Sequence, residues 1–342
     1  MEDTLIVRFP AKRSVLCTSW LNGGYRQDLT AIFNHQIPRA ACDACHVNGG
    51  VKTYLEGVAV SLSLDPATTS GLITRAEMKN AAIVSESFRD IAVCAIVTAG
   101  IDKNGGRAGD PASYYENGDC FEPVGGTINT ILLISAALPE HGMVRALMTA
   151  TEAKAAALQQ LMARSIYSTG IATGSGTDMI AIVADPGSKI HLSDAGKHSK
   201  LGELIGKTVI RATHAALEKE TGLSPASQGD VMVRLLRYRV TEDVLWNIVT
   251  EMSGQDPSDP VAREQFLLQL KRWAKQPRAI ACVAAALHIV DEAGWGLLPS
   301  QEAKESIDSI LLDCIGTVPE FRNNDTILQG LSIALGRFMQ PG

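Results

Sequence analysis

The feature of this sequence that most constrains its fold is a change in character near residues 222–225. Before this point, runs of aliphatic and β-branched residues alternate with glycine-rich turns, which is the pattern of strands and connecting loops. After it, apolar residues recur at helical spacing in one segment after another. A chain of 342 residues is long enough for two domains. We therefore expect an α/β unit over residues 1–222, with a mixed sheet and flanking helices, and an all-helical unit over residues 226–342.

Within the first unit, short apolar runs predict the strands, which occupy residues 5–9, 15–18, 92–98, 128–138 and 179–184. The first two runs are separated by a short link that contains proline, so they are expected to form a hairpin. The pattern Ser/Thr-x-x-Glu, which is typical of helix starts, occurs at Thr149 and Glu152 and in a weaker form at Thr74 and Glu77. Apolar residues at helical spacing predict a further helix over residues 200–220.

The second unit is expected to contain only helices. The predicted helices cover residues 241–252, 260–274, 278–292, 301–315 and 325–337. Asp259 before Pro260 places an N-cap residue directly ahead of a proline at the first helical position. Because this part carries no obvious catalytic cluster, we interpret it as a partner or dimerisation module through which the chain could form a homo-oligomer.

The composition disfavours several classes of function. Lys and Arg total 31 against 37 Asp and Glu, a net charge of −6, so no basic excess is present to bind a polyphosphate backbone. Aromatic residues make up 5% of the chain, which leaves few side chains for stacking on nucleobases. The longest apolar stretches are too short to cross a bilayer. We therefore expect no nucleic-acid partner and no membrane association.

Cysteine usage points to a compartment and argues against bound haem or zinc. The chain has seven cysteines, and its first residues lack the pattern of a secretory signal, so we expect a cytoplasmic protein with free thiols. Cys42-Asp-Ala-Cys45-His46 has the spacing that attaches c-type haem, but that attachment requires export. A zinc site would need further ligands at suitable spacing, and the sequence has no second Cys-x-x-Cys. We expect this segment to be dispensable.

Glycine-rich or polar clusters adjoin the apolar runs of the first unit. They span residues 21–25, 98–110, 125–129, 173–178 and 198–206. Backbone amides at strand ends often face a crevice in open α/β sheets, so these clusters are candidate ligand-binding segments.

The cluster at residues 173–178, Thr-Gly-Ser-Gly-Thr-Asp, admits two interpretations. A Walker-type phosphate loop follows a strand and opens a helix with a lysine, whereas this loop precedes a predicted strand. Nucleotide binding is therefore weakly supported, and the alternative is a tight turn whose backbone hydrogen bonds to Asp178. At the start of the predicted helix 200–220, the helix dipole would favour a neutral His198, while Glu203 lies on a different face. Both could equally be solvated surface groups.

Taken together and in this order, several segments resemble the adenosylcobinamide amidohydrolase family of corrinoid salvage enzymes. The matching segments are SWLNGGY (19–25), TSGLITRAEM (69–78), VTAGI (97–101), GGTINTILL (125–133), TATEAKAAAL (149–158), ATGSGTDMIAIVA (172–184) and HSKLGELIG (198–206). The resemblance covers residues 5–220 and leaves the helical unit outside.

The resemblance implies hydrolysis of the aminopropanol amide of adenosylcobinamide to adenosylcobyric acid, in the salvage of corrinoids for cobamide synthesis. Amide hydrolysis needs a base or a nucleophile, and donors for the oxyanion. Within the matching segments, Asp178 and His198 are the candidate base and acid, and Thr177 and Thr127 are the candidate nucleophiles. The sequence has no zinc motif, so no metal ligand is assigned, and cobalt enters only as part of the corrinoid. A divalent metal held by distant residues, such as His198 with Asp178, stays open.

The candidate substrate-binding residues offer amide side chains, backbone amides or carboxylates. They are Asn22, Gly23, Gly24, Asn104, Gly126, Asn129, Glu152, Gly174, Gly176 and Glu203. If the resemblance holds, Asn22, Thr127, Asn129, Asp178 and His198 should line one cleft. Two alternatives of other classes are a non-catalytic corrinoid-binding protein and a nucleotide-binding transferase that uses the loop at residues 173–178.

Overall fold

The structure is a computed structural model. It describes residues 3–38, 50–111 and 127–315, together with residues 330, 332, 333, 335 and 336. The chain divides into two compact units, residues 1–224 and residues 225–342. The first is a mixed α/β unit, and the second has helices and no strand among its described residues, as the change in sequence character predicts.

A six-stranded mixed sheet forms the centre of the first unit, with strand order β3-β2-β11-β9-β7-β6. Its strands are β2 (Ser14–Cys17), β3 (Gly24–Arg26), β6 (Ala82–Phe88), β7 (Ile91–Gly100), β9 (Thr127–Ile134) and β11 (Met179–Ala184). β9 and β11 are parallel neighbours, and the other pairings in this sheet are antiparallel.

A second sheet and a short ribbon complete the strands of this unit. The second sheet contains β1 (Thr4–Arg8), β4 (Ala31–Gln36) and β5 (Thr69–Thr74), in the order β1-β4-β5. The ribbon pairs β8 (Gly105–Gly106) with β10 (Gly174–Ser175), so that it joins the chain after β7 to the chain before β11.

Helices cover the outer faces, which gives a helix–sheet–sheet–helix arrangement of layers. α2 (Glu140–Gln160) and α3 (Lys200–Thr221) pack on one face of the six-stranded sheet. The other face of that sheet packs on the three-stranded sheet. α1 (Gly50–Ser61) lies on the far side of the three-stranded sheet, where Leu55 and Ala59 contact the core around Phe33.

Alternation along β9 explains why both faces of the large sheet are buried. Ile128, Leu132 and Ile134 belong to the core beneath the helices, whereas Ile131 belongs to the core between the sheets. Because successive side chains of a strand point to opposite faces, Thr127 and Asn129 share the inter-sheet face with Ile131. This parity directs the polar side chains of the β9 start into the space between the two sheets.

The second unit is built from helices around its own apolar core. They are α4 (Val231–Leu235), α5 (Glu242–Ser253), α6 (Pro260–Trp273), α7 (Pro277–Gly294) and α8 (Ser300–Ile315). As expected, Asp259 caps α6 by accepting hydrogen bonds from the backbone amides of Val261 and Ala262. The predicted helix at residues 325–337 lies mostly outside the described residues. Within the described part of the chain, no helix is both long and apolar enough to cross a membrane.

The predicted hairpin of the first two strands is wrong. β1 pairs with β4 in the three-stranded sheet, whereas β2 pairs with β3 and β11 in the six-stranded sheet. The link between β1 and β2 therefore carries the chain from one sheet to the other. Both sheets are buried on both faces over much of their length, and the local apolar pattern does not encode which distant strand becomes the partner.

Both predicted capping boxes are also wrong. α2 begins at Glu140, so Thr149 lies inside the helix, where its hydroxyl donates to the carbonyl oxygen of Ala195. Thr74 is the last residue of β5, and its hydroxyl accepts a hydrogen bond from the amide of Ala76. The expectation of free thiols holds for Cys17 and Cys94, whereas Cys282 is disulfide-bonded.

Candidate active site

The candidate site lies at one end of the six-stranded sheet, where β9 and β11 begin. Thr127 is the first residue of β9, and Asp178 directly precedes β11. The two strands are parallel, with Met179 opposite Asn129, so their first residues lie side by side. β7 runs antiparallel to β9 and brings its last residue, Gly100, opposite Thr127. The pairing therefore collects three polar chain segments at this end of the sheet.

The carboxylate of Asp178 is the most heavily hydrogen-bonded group at this end. Its Oδ1 accepts from the backbone amide of Ile128 at 2.9 Å and from the hydroxyl of Ser175 at 2.6 Å. Its Oδ2 accepts from the backbone amide of Ser175 at 3.0 Å and from the ammonium group of Lys154. These donors fill the lone-pair sites of a carboxylate. Asp178 is thus held in one orientation and fastens β9, β10 and α2 together.

Lys154 is a site residue that the sequence interpretation missed. Its side chain is 15% exposed and that of Asp178 is 14% exposed, so the ion pair is largely withdrawn from water. Lysines on helices are ordinarily exposed, so the sequence pattern gives Lys154 no role in the site. Lys154 lies one turn from Ala150 and Leu158, both buried, and this spacing is the signal that could have placed it on the inner face of α2.

Two threonine hydroxyls lie beside this ion pair. Thr127 Oγ1 and Thr177 Oγ1 are 2.7 Å apart and share a hydrogen bond. Thr177 directly precedes Asp178, and Thr127 directly precedes Ile128, whose amide binds Asp178. Both candidate nucleophiles are therefore attached to the backbone that the carboxylate orders.

The loop before β11 needs glycine where it passes the ion pair. A β-carbon on Gly174 would lie 2.3 Å from Asp178 Oδ2 and 2.8 Å from Lys154 Nζ, which no side chain can occupy without displacing them. A β-carbon on Gly176 would meet no atom within 4 Å. Gly174 is thus required for close approach, whereas the space beside Gly176 is open.

The same end of the sheet carries a buried chain of amide side chains. Asn129 Nδ2 donates to Asn34 Oδ1 at 2.8 Å and to the carbonyl oxygen of Ile73 at 2.9 Å. Asn34 Nδ2 in turn donates to the hydroxyl of Thr98 at 2.8 Å. Asn129 is 1% exposed, and its Oδ1 has no hydrogen-bond partner among the residues that the structure describes.

Asn22 acts as a connector between β-elements. It adopts a left-handed backbone with φ 52°, and its side-chain amide donates to the carbonyl oxygens of Pro66 and Thr69, each at 2.7 Å. Its Oδ1 accepts from the Arg26 guanidinium. Beside it, a β-carbon on Gly23 would lie 2.1 Å from the Ser19 carbonyl oxygen, and Gly24 has φ +83°. These contacts give the Asn-Gly-Gly segment a role in the turn between β2 and β3.

Asn104 lies in the turn between β7 and β8 and is fully buried. The ribbon that follows it pairs Gly105 with Ser175, so this turn supports the loop that presents Ser175 to Asp178.

His198 and Glu203 are not brought into this group. His198 is exposed and precedes Ser199, the residue whose hydroxyl caps α3. Glu203 forms ion pairs with Lys200 and Lys207 on the surface. These contacts lower the pKa of Glu203 to about 2, and the hydrogen bond from Lys200 is the largest cause. Glu152 pairs with Lys197 at 2.6 Å and is exposed. No hydrogen bond or ion pair joins any of these three to Asp178 within the described ranges.

Some predicted features fall outside what the structure describes. Gly126 and the segment from Cys42 to His46 lie outside the described residues. Within the described residues, no group of three or more His, Cys, Asp or Glu side chains is arranged to hold a metal ion. The loop at residues 173–178 leads into a strand and uses the Ser175 amide for its own carboxylate, which matches the tight-turn interpretation better than a phosphate loop.

Comparison with known proteins decides the family. The family model described as adenosylcobinamide amidohydrolase matches residues 1–225. The chain belongs to the adenosylcobinamide amidohydrolase family. The match includes the described site residues between Asn22 and Asp178, Lys154 among them. It stops where the helical unit begins.

Individual relatives align with about two thirds of the chain. An uncharacterized protein from Methanocaldococcus jannaschii is 35% identical over 229 residues, covering 64% of this chain and 86% of the relative. An adenosylcobinamide amidohydrolase from Methanosarcina mazei is 27% identical over 225 residues, covering 64% of this chain and 95% of the relative. The crystal structure of the PH0078 protein from Pyrococcus horikoshii aligns over 61% of this chain and 73% of that chain, with 13% identity and a TM-score of 0.31, which is too low to support an argument.

Proposed function

We propose that this chain hydrolyses the aminopropanol amide bond of adenosylcobinamide and releases adenosylcobyric acid. The observation that carries the proposal is the family match over residues 1–225, which includes the hydroxyl pair and the buried ion pair at the start of β9 and β11. Family membership gives the reaction class, an amidohydrolase. The particular substrate and product are the part that we propose.

In the proposed reaction, the hydroxyl of Thr127 attacks the amide carbonyl carbon. The carbon–nitrogen bond breaks, the nitrogen takes up the hydroxyl proton, and the amino alcohol leaves, so the acyl group is carried as an ester on Thr127. Water then attacks this ester, giving its hydroxyl to the acyl carbon and its other proton to the Thr127 oxygen. Thr177, 2.7 Å from Thr127, fixes the direction of the attacking oxygen.

In this reaction, Asp178 holds the surrounding backbone in place and Lys154 provides a positive charge. With its lone-pair sites filled, Asp178 is better suited to holding Lys154 and the Gly174 loop than to removing a proton. The Lys154 ammonium group provides positive charge in a site withdrawn from water, where it stabilises the anionic oxygen that develops on the carbonyl. Cobalt belongs to the corrinoid substrate, and none of these steps uses a protein-bound metal.

The test is incubation of the purified protein with adenosylcobinamide in water labelled with heavy oxygen, followed by mass spectrometry of the corrinoid. We expect adenosylcobyric acid with one labelled oxygen in the new carboxylate, and no change in rate when a chelator is added. A shift of the corrinoid absorbance without product would instead identify a non-catalytic binding protein. Product formation that requires ATP or GTP with magnesium would identify a nucleotide-dependent enzyme.

A further inference from the structure

The amide side chain of Asn129 has a fixed orientation, in which its Nδ2 is hydrogen-bonded and its Oδ1 is left without a donor among the described residues. Its Nδ2 points at two acceptors, the Asn34 side-chain oxygen at 2.8 Å and the Ile73 carbonyl oxygen at 2.9 Å. Exchanging the oxygen and nitrogen of Asn129 would place oxygen against both acceptors, so the hydrogen-bond network determines which atom is which. Asn34 is oriented in turn, because its Oδ1 accepts from Asn129 and its Nδ2 then donates to Thr98. The network therefore aims Asn129 Oδ1 away from these partners.

This oxygen is a buried acceptor that the described residues leave unsatisfied. Asn129 is 1% exposed, and Oδ1 has no hydrogen-bond partner among them. Buried polar atoms in folded proteins are nearly always hydrogen-bonded, and each exception calls for an explanation. The two hydrogen bonds that Asn129 Nδ2 donates hold the amide group in place and leave Oδ1 as an acceptor. Such an acceptor is suited to a ligand that supplies an N–H donor.

The position of Asn129 along β9 relates it to the attacking hydroxyl. Thr127 and Asn129 are two residues apart on one strand, so their side chains leave the same face about 6.6 Å apart. An attacking oxygen lies about 3 Å from the carbonyl carbon, the amide bond is about 1.3 Å long, and an N–H···O contact is about 2.9 Å. Placed end to end, these lengths reach about 7 Å. A secondary amide with its two contacts therefore spans a length close to the separation at which the side chains of Thr127 and Asn129 leave the strand.

We propose that Asn129 Oδ1 accepts a hydrogen bond from the N–H of the scissile amide and thereby selects secondary amides as substrates. This inference rests on the proposed function and adds a specificity-determining residue to it. The bond holds the carbonyl carbon over Thr127 and turns the nitrogen lone pair away from Asn129, toward the proton that the leaving amine must take up. An ester lacks the N–H and would set an ester oxygen against Asn129 Oδ1, so Asn129 discriminates against esters in the same position.

The experiment compares two substrates and three proteins. The substrates are adenosylcobinamide and its analogue in which the amide N–H is replaced by an ester oxygen. The proteins are wild type, Asn129→Leu and the control Thr130→Val, which alters the next residue on the opposite face of β9. For Asn129→Leu we expect kcat/KM to fall at least about tenfold with the amide and less than about threefold with the ester. Thr130→Val should change the amide-to-ester ratio by less than about twofold.

An equal loss with both substrates would overturn the role of Asn129 in reading the N–H, because a purely structural defect affects them alike. A wild-type protein that cleaves neither substrate would instead contradict the proposed function itself.

A second measurement uses only wild-type protein and so does not depend on the folding of a variant. The ester analogue and an N-methyl amide analogue both lack the N–H, and we expect each to compete with adenosylcobinamide at least about tenfold more weakly than a cleavage-resistant secondary amide of the same size. Equal inhibition by all three analogues would overturn the inference.

Discussion

At the scale of single residues, the site depends on how closely one backbone segment passes a buried ion pair. Lys154 and Asp178 are each about one-seventh exposed, and the loop that contacts them has no room for a side chain at Gly174. Two residues later, Gly176 faces open space. The chain thus offers a matched pair of glycines in one loop, of which only one touches the ion pair.

We predict that Gly174→Ala lowers kcat by about a hundredfold, because the added methyl group displaces Asp178 and Lys154 and a misplacement of about 1 Å can cost that much. Gly176→Ala, the matched control, should retain kcat within about threefold. Steady-state kinetics with adenosylcobinamide measures both. Equal activity of the two variants would show that the ion pair does not need its observed geometry.

At the scale of elements, the sequence predicts strands and helices whose apolar pattern lies within one segment. It does not predict which distant strands pair with one another. β7, β11 and α3 appear at the predicted places because their apolar runs and helical spacing are complete within each segment. The hairpin failed because β1 finds its partner in β4, across a stretch of chain that holds two strands of the other sheet.

The same reasoning explains which parts of the site could be predicted. Thr127, Thr177 and Asp178 follow from glycine-flanked polar residues next to strands, and the structure brings them together. Lys154 was missed because a lysine on a helix is ordinarily exposed, and its burial here depends on an ion pair with Asp178, which is distant in sequence. His198 was paired with Asp178 because both lie in the matching segments and a helix start favours a neutral imidazole, and neither observation gives the distance between the two residues.

A pH-dependent feature belongs to the contact between β1, β4 and α1. His35 on β4 makes hydrogen bonds with Thr4 at 2.8 Å and Tyr54 at 3.0 Å. Burial lowers the pKa of His35 below its usual range, and the charge of Asp3 offsets this in part. The unfolded chain therefore binds the proton more readily than the folded one. The stabilising contribution of neutral His35 is full above the unfolded pKa and is lost as pH falls through the folded pKa.

We predict that the melting temperature falls more between about pH 7.5 and about pH 5 in wild type than in His35→Gln. The reason is that protonation of His35 favours the unfolded chain, and His35→Gln has no group to protonate at this position. Thermal denaturation followed by circular dichroism measures the difference. His141→Gln, which removes an exposed histidine on α2, should behave as wild type. A pH response of His35→Gln that matches wild type would assign the acid sensitivity to other groups.

At the scale of the whole molecule, the family region and the compact α/β unit coincide. The family model ends at residue 225, and the first unit ends at residue 224. Alignments that cover 64% of this chain cover 86% and 95% of the relatives from Methanocaldococcus jannaschii and Methanosarcina mazei, so little of either relative has no counterpart in such an alignment. The chemistry should therefore reside in the first unit, and we propose self-association as the role of the second.

We predict that a protein comprising residues 1–224 folds and keeps kcat/KM for adenosylcobinamide within about threefold of the full chain, since every described site residue lies within it. Its molar mass in solution should be that of a monomer even where the full chain forms an oligomer, as light scattering after size-exclusion chromatography would show. Loss of activity despite a cooperative unfolding transition would assign the helical unit a part in catalysis.

The two buried threonines of β9 allow a direct test of the Thr127 hydroxyl as the nucleophile of the hydrolysis. Thr127→Val removes that hydroxyl with little change in volume, while Thr130→Val makes the same change on the opposite face of the strand. We predict that Thr127→Val lowers kcat for adenosylcobinamide by at least about 10³-fold. Thr130→Val should stay within about threefold of wild type, with both variants unfolding cooperatively. Wild-type turnover by Thr127→Val would show that the Thr127 hydroxyl is not the nucleophile.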